Sequence, residues 1–242
     1  MPGTPLSASA ARIAADVETL SGPEYTLPGP GISRHAYTEP YARTLEFFAG
    51  AFRNVGFEVW SDPVGTLVAS NAGRGERCFG LGSHCDSNRN GGRYDGTLGV
   101  VVALEVCRLA RERRIDLPLR VLSFLEEEAS GFGQALLGSS IMLGLVSDAE
   151  LASYRDDTGT AFTDAARAAG FRPERHREAI RELHGMEGWI EVHIEQGRVL
   201  WDTGTGWGWS TPSPGSSTRT SRSRAEPTTR EPPRWASAPT PP

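Results

Sequence analysis

The chain has 242 residues and a formal net charge of −5, and all 25 of its basic residues are arginine. That acidic balance excludes the basic stripe by which nucleic-acid binders attract phosphate, and no stretch approaches the roughly 20 apolar residues of a membrane helix. The three cysteines, Cys78, Cys85 and Cys107, lie in or beside apolar runs and are odd in number, which fits reduced thiols rather than a disulfide framework.

The start, MPGTPLSASA, has no basic opening and no apolar core, so no secretory signal is visible. A soluble, cytoplasmic protein acting on a small molecule, with no nucleic-acid or membrane partner, is the expectation. Apolar spacing predicts helices over residues 7–20 and, more strongly, 37–56. FEVWSD (57–62) and TLVASN (66–71) read as short strands around the turn PVG. CFGLGSH (78–84) reads as a buried strand, GTLGVVVALEVCRLARERR (96–114) as a helix and LPLRVLSFL (117–125) as another buried strand. Strand, helix and strand in that order predict a βαβ unit, hence an α/β fold with a mainly parallel mixed sheet flanked by helices. Residues 138–184 read as helical. WIEVHIEQG (189–197) alternates as a strand, with Ile190, Val192 and Ile194 on the apolar face and His193 on the other.

Between the third strand and its helix lies GSHCDSNRNGGRYDG (82–96). Gly, Asn, Asp and Ser are turn residues, so a plain surface loop accounts for it. The alternative is a loop that holds His84, Asp86 and Asp95 around a metal. In parallel sheets ligands gather at the carboxyl ends of strands, and two further polar groups sit near such ends: Glu126, Glu127 and Glu128, and His193. Carboxylates directly after a buried strand are costly without partners, and imidazole with carboxylate suits zinc and related ions. Asp86 is placed to hold the second nitrogen of His84. Spacing alone leaves both readings open. His35, His176 and His184 read as structural or exposed.

Three ordered motifs favour the metal. GSHCDSNRNGGRYDGTLGV, FLEEEASGFG followed by LLGSS, and EVHIEQG resemble those of the N-carbamoyl-L-amino-acid hydrolase and allantoate amidohydrolase family, within the aminoacylase-like di-metal peptidase superfamily. The resemblance runs from about residue 30 to 203. It implies a zinc-type amidohydrolase that cleaves linear amide or ureido C–N bonds with two divalent ions, Zn or alternatively Mn, Co or Ni. By resemblance His84 and His193 bind one metal, Asp95 bridges both and Glu128 binds the second. Glu127 is the general base, Asp86 orients His84 and Gln196 meets the carbamoyl or ureido group. Cys85 and Ala129 stand where the family more often has an aliphatic residue and glycine.

The family continues beyond this point into a lid and dimerisation domain, forms homodimers, and returns to supply a further histidine ligand. None of this is expected here: residues 1–204 read as an incomplete catalytic domain and 205–242 as a disordered, out-of-frame tail. GWGWSTPSPG and AEPTTREPPRW can be encoded by codons that, read from the third base, give LGVVDAIAG and RANHAGTTPM, strings resembling the family's next segments. An aminoacylase or dipeptidase of the same superfamily, and an inactive truncated remnant, remain the alternatives.

Overall fold

Ser9 opens the first helix by accepting the backbone N–H of Arg12 on its hydroxyl, which satisfies one of the donors a helix start leaves bare. In the computed structural model, which describes residues 7–213 and 216–221, this helix, α1, spans Ala10–Leu20 and buries Val17 and Leu20. Helix α2 (Glu39–Asn54) buries Tyr41, Phe48 and Phe52. Helix α3 (Thr97–Glu112) turns Val100, Val101, Leu104 and Cys107 inward. The apolar residues of all three recur at helical spacing; the stripes of α2 and α3 meet the sheet, and α1 packs on α3.

Strands β1 (Glu58–Ser61), β2 (Leu67–Ser70), β3 (Cys78–His84), β4 (Leu119–Phe124) and β5 (Met186–Glu191) form one sheet in the order β1-β2-β4-β3-β5. β3 runs parallel to both β4 and β5, whereas β2 is antiparallel to β1 and β4. The sheet is therefore mixed, built around the βαβ unit β3-α3-β4. Gly82 sits at its tightest point: a β-carbon there would stand 1.9 Å from the Leu122 carbonyl oxygen, and its φ is +138°. Only glycine lets β3 approach β4 this closely.

Two expectations change. The region 138–184 is not one helical run but α4 (Leu137–Met142), α5 (Asp148–Ser153), α6 (Phe162–Ala168) and a 3-10 stretch, Pro173–Leu183. Its breaks fall at the turn that Asp156 closes by accepting from Thr158 and Thr160 N–H, and at Pro173. The last strand lies earlier than 189–197: its pairing with β3 ends at Glu191 opposite Gly82, and His193 follows two residues later. Ile190 and Val192 are 52% and 42% exposed rather than buried. β5 is the outer strand, so its side chains have a sheet neighbour on one side only.

The chain divides into two compact units between Ile194 and Glu195. The second contains a short helix, α7 (Val199–Asp202), and an antiparallel pair, β6 (Trp209–Ser213) with β7 (Ser216–Ser221). A two-stranded pair of this kind is marginal in water by itself. Residues 222–242 lie outside the described residues. Cys78, Cys85 and Cys107 are free and buried. Among the described residues no helix is long and apolar enough to cross a membrane.

Asp62 pins the turn between β1 and β2. Its Oδ1 accepts the N–H groups of Val64, Gly65 and Thr66 at 2.9, 2.8 and 2.9 Å. Burial nevertheless pushes the carboxyl from 3.8 up to about 6. The folded state then holds the proton more tightly than the unfolded chain. The stability this contributes is complete below about pH 4 and is lost as pH rises through about 6. The urea midpoint should therefore fall less steeply across that window in Asp62→Asn than in the wild type. Parallel profiles would show that Asp62 does not titrate there.

Candidate metal centre

His84 is the last residue of β3 and 4% exposed. The loop that follows doubles back under it. Asp86 is fully buried, and its Oδ2 accepts the Glu128 backbone N–H at 2.9 Å while its Oδ1 lies 3.3 Å from His84 Nδ1. One carboxylate thus ties the end of β3 to the turn after β4. His84 Nδ1 also lies 3.0 Å from the Asp86 carbonyl oxygen. At the end of the loop, Gly96 (φ +59°) lies beneath the imidazole, where a β-carbon would stand 2.3 to 2.4 Å from ring atoms.

After β4 the chain makes a sharp turn with Glu126 at φ +54° and Ala129 at +60°. A left-handed φ explains why glycine suits position 129 better than alanine. Glu126 points inward and accepts the N–H groups of Gly131 and Phe132 at 2.8 and 2.7 Å. Glu127 and Glu128 diverge from it. Glu127 is gripped at the start of α4, where Ser139 donates its N–H to Oε1 at 2.9 Å and its hydroxyl to Oε2 at 2.8 Å. Glu128 accepts the Asn88 side-chain amide on one oxygen and lies 3.8 Å from His84 Nε2 with the other.

His193 arrives from beyond β5. Its Nε2 is 3.2 Å from His84 Nε2 and 3.4 Å from Asp95 Oδ1, and one ligand atom from each of the three residues lies within 4.8 Å of the others. Ligands held tetrahedrally about 2.1 Å from a common centre are about 3.4 Å apart. The spacing therefore fits a first-row divalent ion. The protonation pattern fits as well. His84 Nδ1 faces the Asp86 carbonyl and His193 Nδ1 the Ile194 carbonyl at 2.8 Å, which fixes the hydrogen on Nδ1 in each ring. Both Nε2 lone pairs then converge with a carboxylate oxygen, an arrangement that repels itself unless a cation or proton lies between them.

The electrostatics follow from these contacts. Burial opposes charge on His84, yet Asp86 outweighs it and holds the imidazole up to about 9. Burial pushes both Glu126 and Glu127 up to about 7, with the bonds from Phe132 and from Ser139 respectively acting in the opposite direction. A carboxylate poised near neutrality can take and return a proton at working pH.

Of the residues singled out in the sequence, His84, Asp86, Asp95, Glu127, Glu128 and His193 all come from the first unit and assemble at the ends of β3, β4 and β5. Gln196 belongs to the second unit, with φ +51°. Three participants were not singled out: Ser139, Asn88 and Gly96. Ser139 lies in the motif LLGSS but has a role only once α4 folds over Glu127. His176 is structural, with its ring nitrogens 3.1 and 3.3 Å from the Pro173 and Val146 carbonyl oxygens.

No family model matches the chain. Individual relatives do. The N-carbamoyl-L-amino-acid amidohydrolase of Paenarthrobacter aurescens is 36% identical over 197 residues, 80% of this chain and 47% of that protein. The allantoate amidohydrolase of Bacillus subtilis is 29% identical over 174 residues, 70% of this chain and 42% of that protein. A hydantoinase/carbamoylase family amidase from Burkholderia ambifaria superposes with a TM-score of 0.69 at 30% identity, covering 82% of this chain and 48% of that one.

The chain is a homologue of the N-carbamoyl-L-amino-acid hydrolase and allantoate amidohydrolase family. It spans about half the length of the curated relatives it matches. The family's members are named as hydrolases of C–N bonds, and the group His84, Asp95 and His193 is where such a chain would hold a metal.

Gly96→Ala tests the geometry directly. The added carbon should push the His84 ring away from His193, abolishing the through-space NMR contact between rings now 5.5 Å apart, while far-UV circular dichroism stays unchanged. A retained contact would show that the loop, and not the glycine, sets the ring position.

Proposed function

We propose that the whole protein hydrolyses the linear C–N bond of an N-carbamoyl-L-amino acid or a ureido acid such as allantoate, and that this chain carries its metal centre and general base. The supporting observation is the convergence of His84, Asp95 and His193 at ligand spacing, beside a carboxylate held in place by Ser139. His84, His193 and Asp95 would hold one divalent ion, with Asp95 and Glu128 contributing to a second. Zinc is the proposed metal, with Mn, Co or Ni as substitutes, because the donors are imidazole and carboxylate. Paired cations of this kind acidify water and polarise a carbonyl.

The chain's own residues do the rest. Asp86 fixes the tautomer and tilt of His84. Glu127 accepts the proton from the attacking water and passes it to the departing nitrogen. Ser139 occupies one lone pair on each Glu127 oxygen and so fixes the direction of those that remain. Gln196 is proposed to meet the carbamoyl or ureido group. A cytoplasmic homodimer completes the reading.

Titration calorimetry of the metal-stripped chain with Zn²⁺ should show a tight site. Asp86→Asn should weaken it by about 10–100-fold, the usual effect of losing a carboxylate behind a ligand, and His193→Ala by more. Affinity unchanged in His193→Ala would place the metal elsewhere and sink the assignment.

In the whole protein, Glu127→Gln should keep its metal content and lose turnover of N-carbamoyl-L-amino acids or allantoate by about 10²–10⁴-fold. Glu128→Gln should instead lose metal, measured by atomic emission. The reverse pattern would exchange the two roles.

A further inference from the structure

Arg34 is 1% exposed, an unusual place for a guanidinium, which is rarely buried so fully unless a carboxylate pairs with it. Here its side-chain bonds among the described residues all go to neutral oxygens. Nε donates to the Tyr25 carbonyl at 2.8 Å and Nη2 to the Leu20 carbonyl. Nη1 donates at 3.2 Å to the Cys85 carbonyl and at 3.2 Å to the Thr97 hydroxyl.

Two of these partners belong to the segment before it. Leu20 ends α1, where the last carbonyls lack helical donors, and Tyr25 ends the 3-10 turn Pro23–Tyr25. The other two flank the metal centre. Cys85 follows His84 directly, and Thr97 opens α3 two residues after Asp95, with its N–H on the Asp95 carbonyl. The middle of the loop is tied to the same residue: Arg34 N–H donates to Ser87 Oγ at 3.0 Å, and Ser87 N–H to the Arg34 carbonyl at 3.0 Å.

The loop needs such ties. Between Cys85 and Gly96 it carries three glycines and Asn90 at φ +55°, a composition with little stiffness of its own. One nitrogen of Arg34 spans both of its ends. A planar fork with five fixed donors can do this while it also holds Leu20 and Tyr25, whereas a lysine ammonium has three donors about a single point.

We propose that Arg34 is a positioning residue for the metal centre: its guanidinium sets the distance between the two ends of the loop, and through them the placement of His84 and Asp95. The inference rests on the reading of His84, Asp95 and His193 as the metal site. It adds to that site a residue that acts only through a backbone carbonyl and a hydroxyl.

The test compares the full chain with Arg34→Lys, Thr97→Val and, as a control for general loss of stability, Phe48→Leu in the core face of α2. Circular dichroism and urea midpoints first establish that each is folded at the measuring temperature. Thr97→Val removes one arm of the clamp at nearly constant volume, so it carries the test if Arg34→Lys does not fold. Calorimetric titration with Zn²⁺ should show affinity about tenfold weaker in Arg34→Lys, about fivefold weaker in Thr97→Val, as for one hydrogen bond, and unchanged in Phe48→Leu. In EDTA, the NMR contact between the His84 and His193 rings should weaken in the first two variants and persist in the third. Wild-type affinity and an intact ring contact in both loop variants would overturn the proposal, as would an equal loss in Phe48→Leu. Zinc binding indifferent to His193→Ala would defeat the metal assignment instead, and the ring contact, read without metal, would still decide whether Arg34 positions His84.

Discussion

The Asp86 carboxylate is the contact on which the centre depends. It is fully buried and reaches two elements at once, the imidazole at the end of β3 and the Glu128 N–H after β4. A buried carboxylate is tolerated only where partners replace its hydration. Here those partners are a ring that can carry charge and a backbone donor. Remove the carboxylate, and His84 loses the group that sets its tilt while the turn of Glu127 and Glu128 loses its tie to the loop.

Around that contact the fold gathers acidic groups that would otherwise repel one another. Glu126 is turned inward onto Gly131 and Phe132 N–H, Glu127 onto Ser139, and Glu128 towards Asn88 and His84. Three consecutive glutamates thus meet three different environments. The left-handed φ values at Glu126 and Ala129 are what separate them, since a regular strand would send alternate side chains to the same face. Such strain persists where the surroundings over-determine it, typically at functional sites.

The same economy holds at the sheet. Parallel pairing of β3 with β4 and β5 sets three carboxyl ends side by side, and glycines at 82 and 96 remove the atoms that would obstruct the approach. The helices supply the apolar face, and the strand ends carry the polar groups of the proposed metal centre. Leu104 and Val100 lie in the buried core, whereas the groups at the strand ends are the ones proposed to act.

Much of this was legible in the linear chain, because periodicity is a local property. Helices α1, α2 and α3 and strands β1 to β4 fall where apolar spacing predicts them, while His84, Asp95 and His193 are picked out as a ligand set only by the resemblance of their motifs to the family. The sequence could not show that β5 ends at Glu191, since alternation continues through His193 and only the loss of its neighbour on β3 stops the ladder. Nor could it show that Ile190 and Val192 stay exposed, because which strand lies outermost depends on pairing across the whole sheet. Ser139 is a similar case: a serine fifteen residues beyond β4 acquires meaning only when α4 packs back on Glu127. By itself the sequence determined which residue types were available and roughly where each element ran. Tertiary structure alone decided which of them meet, since contacts between residues about a hundred positions apart, such as His84 with His193, arise from pairing energies that no local pattern encodes.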